Sequence, residues 1–222
     1  MKKILFLLIV TLLLFNRSYS QNNEFDLQNS IYIKAKTYND PSVAINALYK
    51  MIALQPENIF LKDSLMREYL TLSQWAPSYM ISREILAIQP ANTFALEISC
   101  ISLQNLGLKQ QALDQYESLY LRTDRIDVLY TIAFLQFELK NYNESITNLD
   151  ILINNNETEK MSVSVSKNDN SVQEVFIRAQ LNYLKGLIFL EQKNKDEATK
   201  FFNNALAISP DFQNAIDRLN AK

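Results

Sequence analysis

The chain has 222 residues, with 22 Lys and Arg against 24 Asp and Glu, a formal net charge of −2, and no histidine at all. That balance argues against nucleic acid or an anionic membrane as main partner, since both require a concentrated basic face. The missing histidine removes the commonest general base and the commonest zinc ligand together, and a single cysteine, Cys100, rules out an internal disulfide, a cysteine–histidine pair and a thiolate metal site.

The first element in chain order is a leader. Lys2 and Lys3 form a basic head, Ile4 to Phe15 is apolar except for Thr11, and Ser18-Tyr19-Ser20 places small residues where a signal peptidase reads. Cleavage is therefore expected after Ser20, with export to the periplasm or beyond the cell. A retained membrane anchor is the competing reading, but the apolar run is shorter than the roughly 20 residues that cross a bilayer. No cysteine follows the expected cleavage site, against a lipid anchor, and no later segment is long and apolar enough to span a membrane. Removal of the leader takes away three basic residues and no acidic ones, leaving a mature chain with a charge of −5.

Beyond the leader the chain is glycine-poor. Gly107 and Gly186 are its only glycines, too few for a sheet rich in tight hairpins and too far apart for a phosphate loop. An all-helical chain is expected. Self-similarity then organises it. Leu54-Gln55-Pro56-Glu57-Asn58 returns 34 residues later as Ile88-Gln89-Pro90-Ala91-Asn92, and Ile208-Ser209-Pro210-Asp211 closes the series. Twelve residues before each proline stands a small residue, Ala44, Ser78 and Ala198, and two degenerate copies keep the register with Ala112 and Ser145. The spacings between successive small residues are 34, 34, 33 and 53. A small residue at that place lets one helix of a pair approach the other closely, while apolar positions on either side fill the interface. The prolines read as the first residues of the following helices, where a missing N–H is harmless; Asp40-Pro41 and Ser209-Pro210 read as cap and first turn, and Pro77 opens a helix in the same way.

This pattern resembles the tetratricopeptide repeat family, whose 34-residue unit is a pair of antiparallel helices. The last copy carries the likeness most fully, with Tyr183, Gly186, Phe189, Ala198, Phe202, Ala205 and Pro210. Leu96, Cys100, Leu103, Ala112, Tyr116 and Leu119 match in the third copy, and Tyr130, Ala133, Phe137, Ser145, Leu149 and Leu152 in the fourth. The first two copies are weaker, with Ala44, Leu48, Met51 and Pro56, then Leu65, Tyr69, Ser78, Ile85 and Pro90. The resemblance implies an all-α, right-handed α-solenoid of about five helix hairpins, over residues 25–58, 59–92, 93–125, 126–157 and 179–212, with a capping helix over 211–222. In such a stack each unit completes its core only against its neighbours. Cys100 falls at a tight packing position and is expected buried and inert.

The 53-residue interval exceeds one repeat by about 19, which places an insertion over 158–177. Met161 to Ser166 alternates with period two, Lys167-Asn168-Asp169-Asn170 has turn chemistry, and Ser171 to Phe176 follows. Both a β-hairpin and an irregular loop fit.

No catalytic, cofactor or metal site is expected. The paired acids Asp124 with Asp127, and Asp196 with Glu197, stand at a repeat junction and on a helix first turn, where the helix dipole ordinarily attracts them. The resemblance instead implies a protein- or peptide-binding scaffold, with the first helix of each unit lining a concave groove. Carried over position by position, the groove takes Phe60, Arg67, Phe94, Glu97, Tyr130, Phe134, Phe137, Tyr183, Leu187 and Leu190. The lysine–asparagine clamp that family members use for a terminal carboxylate is absent. Acidic rim residues Asp63, Glu97, Asp127 and Glu138 favour a basic ligand. The aromatic residues at the C-terminal end form either an open partner site or a surface covered by the insertion. A structural subunit of an envelope or secretion assembly is the alternative function. The partner's identity and the oligomeric state are not encoded legibly.

Overall fold

The computed structural model describes residues 23–221, so the leader expected over residues 1–20 lies outside them. Two compact units divide the chain, one running up to Gly107 and the other starting at Leu108.

The N-terminal unit holds five helices: α1 over residues 23–37, α2 Pro41–Leu54, α3 Ile59–Thr71, α4 Trp75–Ile88 and α5 Thr93–Asn105. Short polar residues start three of them. Asp40 accepts from Val43 N at 3.2 Å, Asn58 from Phe60 N and Leu61 N, and Asn92 from Ala95 N at 2.9 Å, each satisfying an amide that the helix leaves unpaired. The apolar positions of α2 to α5 converge on one core: Leu48, Met51, Leu65, Met66, Ile81, Ile85 and Ile98, with Phe25 and Tyr32 of α1 packed against it. Ala44 and Ser78 are fully buried, as close helix approach requires. Ser78 has a hydroxyl to satisfy there, and its Oγ donates to Met66 O at 3.4 Å. Two polar ties join helix pairs at the margins. The Tyr49 and Tyr69 hydroxyls lie 2.6 Å apart, and Lys36 pairs with the buried Glu68 at 2.6 Å.

The C-terminal unit contains α6 Lys109–Thr123, α7 Ile126–Glu138, α8 Tyr142–Asn154, a 3₁₀ turn Asn156–Lys160, strands β1 Ser162–Ser166 and β2 Val172–Phe176, then α9 Ile177–Glu191, α10 Lys195–Ile208 and α11 Gln213–Asn220. Helix α9 is its centre, buried at Ile177, from Ala179 to Gly186 and again at Ile188. A helix enclosed nearly all round needs cover on every side. One core cluster joins it to α7 and α8 through Leu129, Ala133, Leu149, Leu152, Leu181 and Leu184. A second joins it to α10, α11 and the strands through Val165, Val175, Tyr183, Phe202, Phe212 and Ala215. Gly186 lets α10 close on α9: a Cβ there would stand 2.5 Å from the Phe202 ring. Ser145 repeats the device of Ser78, with its Oγ donating to Ala133 O at 2.8 Å.

The insertion is an antiparallel hairpin, Val163 opposite Val175 and Val165 opposite Gln173. Its inner row is apolar and packs down, while Ser162, Ser164 and Ser166 face out. Main-chain and side-chain bonds then fasten it to the end of the chain. The Gln173 amide donates to Asp211 O at 2.7 Å and accepts from Gln213 N at 3.1 Å, and Asn214 Nδ2 donates to Ser166 O at 3.0 Å.

The turns depart from the sequence expectation at the prolines. Pro56, Pro90 and Pro210 do not begin helices. Each follows a residue whose N–H still bonds the preceding helix, and each lies inside a turn closed from Asn58 N to Gln55 O, Asn92 N to Gln89 O and Phe212 N to Ser209 O. Proline suits the second place of such a turn, and the cap falls two residues later. Ser209 is therefore not the cap of α11: it is buried, and its Oγ accepts from Phe176 N at 3.3 Å. Pro41 does stand at the first position of α2, and Pro77 in the first turn of α4. Helices α1, α3, α7 and α9 end in left-handed residues that are not glycine: Asn39, Ser73, Lys140 and Lys193. The next amide in each case reaches back to close the Schellman pattern, as in Asn194 N to Phe189 O at 2.8 Å.

Two outcomes are expected. Alanine is intrinsically the better helix former by about 1 kcal/mol, yet Gly186→Ala drives a methyl into a ring held by Tyr183 at 5.7 Å, and overpacking costs about 1–3 kcal/mol. The thermal midpoint followed by circular dichroism falls, and adding Phe202→Leu restores part of the loss. Burial and the Tyr49 hydroxyl push the Tyr69 phenol up to about 12. Because the folded value is raised, its contribution to stability is complete below the ordinary tyrosine range and is lost as pH rises through 12. Absorbance titration at alkaline pH then shows a late phenol that Tyr69→Phe removes.

Candidate protein-binding surfaces

In the N-terminal unit, Phe60 begins the outward face of α3 and is 85% exposed, an unusual position for a large aromatic side chain. Asp63 and Arg67 follow it one and two turns on and pair through Nε to Oδ2 at 2.7 Å. The Arg67 guanidinium lies 4.1 Å from the centre of the Phe94 ring on α5, so the arginine is held by charge on one side and by an aromatic face on the other. Phe60, Arg67 and Phe94 thus share one surface; Glu97 is half-buried one turn beyond Phe94.

Beside Phe60 a pocket of about 670 Å³ opens between the turns Gln55–Asn58 and Gln89–Asn92. Its walls carry two carboxylates, Glu57 and Asp63, and no basic side chain. Asn58 Nδ2 donates to Gln55 Oε1 at 2.8 Å and Asn92 Nδ2 to Gln89 Oε1 at 3.3 Å, so the two turns present the same ordered amide pair. Sequence reasoning missed Glu57 and these amides because it counted only helix positions. The signal was present in the repeated Gln-Pro-x-Asn.

In the C-terminal unit the aromatic residues are largely enclosed. Tyr183 packs on Phe202 and Phe212 with ring centres 5.7 and 5.1 Å away and is 8% exposed. Val165 and Val175 belong to the same cluster, with Val163 and Leu187 packed against it, so the hairpin lies over this part of α9. Leu190 is half-buried in that cluster as well. Tyr130, Phe134 and Phe137 remain half-buried on α7; Phe134 and Phe137 stand 6.4 Å apart, and Phe137 is 6.4 Å from Tyr142. Val163 and Leu187 join that cluster too.

Three of the acids singled out above have local partners. Arg125 binds Asp127 through Nε at 3.1 Å and Nη2 at 2.5 Å, and this hydrogen bonding holds the carboxyl below its ordinary range. Glu197 lies in the first turn of α10 and pairs with Lys200 at 3.2 Å. Glu138 accepts from Lys109 at 2.7 Å. Among the described residues no group of three or more histidine, cysteine or carboxylate side chains is placed to hold a metal ion, and no helix is long and apolar enough to cross a membrane.

A sequence model of the tetratricopeptide repeat matches residues 179–212, the span of α9, α10 and the turn after them. Residues 179–212 thus match one tetratricopeptide repeat. Solved structures agree on the fold. The crystal structure of YrrB, described as a TPR protein with an unusual peptide-binding site, superposes with a TM-score of 0.67 over 93% of this chain and 98% of its own, at 12% identity. The crystal structure of MamA protein gives 0.63 over 85% of this chain and 93% of its own, at 16% identity. A MamA fragment from Desulfovibrio magneticus RS-1 gives 0.60 at 10% identity, over 85% and 97%. At these identities the likeness speaks for the fold alone. No curated protein matches the chain.

Cys100 is a packing residue. It is fully buried and free, and burial pushes its thiol up to about 12. A thiol that stays protonated and shielded does not react. Ellman's reagent at about pH 8 should therefore detect no thiol in the folded protein and one in guanidinium, while rapid labelling of folded protein would contradict the burial.

Proposed function

We propose that this protein is a non-catalytic scaffold that acts after export and holds a basic, partly apolar segment of another protein on its N-terminal unit. The observation that carries the reading is the pocket beside Phe60: an exposed aromatic ring next to two carboxylates, with no cation in the walls. An exposed aromatic beside a concave polar wall suits an anchor side chain, and Glu57, with Asp63 already shared with Arg67, suits a neighbouring lysine or arginine. The peptide site named for the YrrB structure supports this class of function without locating a site here. Export rests on the leader pattern of residues 1–20.

The test uses two fluorescein-labelled peptides that differ in one central residue, Leu-Leu-Lys-Leu-Leu against Leu-Leu-Glu-Leu-Leu, and reads fluorescence anisotropy. The lysine peptide should bind, and weaken as salt is raised. Phe60→Ala should reduce its affinity by about tenfold or more without moving the thermal midpoint, because that ring is exposed. Equal binding of both peptides, or indifference to Phe60→Ala, would contradict the reading.

A further inference from the structure

The ladder of the hairpin determines which main-chain groups of β1 remain available. Ile177 N donates to Met161 O and Lys167 N to Ser171 O, both at 2.8 Å. With the register Val163 to Val175, the odd-numbered residues of β1 therefore bond to β2, and Ser162, Ser164 and Ser166 turn their N–H and C=O groups the other way. Both strands show this alternation. On β2, the outward N–H of Phe176 meets Ser209 Oγ; on β1, the outward carbonyl of Ser166 accepts from Asn214. The N–H and C=O of Ser162 and Ser164 have no protein partner among the described residues, and both residues are exposed. Each outer edge thus meets the C-terminal segment at one point, and on β1 the stretch from Ser162 to Ser164 is open.

Open edges are normally blunted by lysine, proline, a bulge or an overlying loop. β1 reads Ser-Val-Ser-Val-Ser, regular and uncharged, with none of these. Its inner side chain Val163 packs against the same core as Leu187 of α9 and the half-buried Tyr130, Phe134 and Phe137 of α7. A strand laid along β1 would place alternate side chains over that aromatic floor. The edge and the floor have no charge of their own, so a charged side chain pointing inward would be desolvated without a partner.

We propose that the outer edge of β1 receives an extended segment of a partner protein, uncharged, with apolar side chains at alternate positions, as a third strand over the α7–α9 aromatic surface. This site is separate from the pocket beside Phe60, and either can fail without the other. The probe is a fluorescein-labelled Thr-Val-Thr-Phe-Thr-Val peptide with glutamates outside that core, alongside a version N-methylated at alternate amides. The variant is Ser164→Pro: its N–H points away from β2, so proline removes the docking donor and leaves the hairpin ladder intact. Binding to the full chain should weaken by about tenfold or more with either the methylated peptide or Ser164→Pro, and amide exchange at Ser162 and Ser164 should slow when the unmodified peptide is added. Phe60→Ala should leave this binding unchanged. Should Ser164→Pro disturb folding, Ser164→Lys guards the same edge and gives the same readout. No binding of the unmodified peptide, or equal binding to both edge variants, overturns the proposal, as does a dimer of the free chain that Ser164→Pro dissociates.

Discussion

Helices can pair closely only where one of them carries no bulk, and that restriction recurs through this molecule. Ala44, Ser78, Ala112, Ser145 and Ala198 are each buried to within 2% of fully enclosed, all at the same point of the second helix of a pair. Where the residue is serine, its hydroxyl is absorbed by a carbonyl twelve residues earlier, as at Ser78 with Met66 and Ser145 with Ala133. A longer side chain would separate the helices, and the apolar residues on either side would lose their contacts. Gly186 against Phe202 is the same restriction met from the first helix.

The hairpin solves a different problem. Helix α9 is apolar on more faces than neighbouring helices of a repeat stack can cover, and Val165 and Val175 supply the missing wall. The fastening to Asp211, Gln213 and Asn214 then makes the insertion part of the C-terminal core. The two units consequently present different surfaces. One exposes an aromatic ring beside acids; the other keeps its aromatics half-covered below an open strand edge. A scaffold with two such surfaces can hold segments of unlike chemistry.

Much of the fold was legible because the physical restriction is periodic. Five small residues in register, each flanked by apolar positions, dictate helix pairs whatever the turns between them do. The turns were less legible. Left-handed residues are usually announced by glycine, but Asn39, Ser73, Asp124, Lys140 and Lys193 take those places, so the ends of five helices left no mark in the composition. The prolines misled for a related reason, since the same residue suits the second place of a turn and the first place of a helix. At the candidate sites, Phe60, Arg67 and Phe94 were reachable by counting helix positions. The covering of Tyr183 by the insertion was one of two readings left open, and the choice between them depends on residues 163–175 meeting residues 209–217, a pairing that no local pattern records. The open edge of β1 needed the register, which alternation alone leaves undetermined.

The most direct test of the account is a comparison of urea midpoints for leucine placed at the small positions and beside them. Ala198→Leu and Ser145→Leu should each lower the midpoint markedly, by about 1–3 kcal/mol or more of stability, whereas Thr199→Leu and Thr147→Leu, on exposed faces of the same helices, should leave it nearly unchanged. Midpoints that fall equally at both kinds of position, or at neither, would show that close approach at these residues is not what holds the helix pairs together.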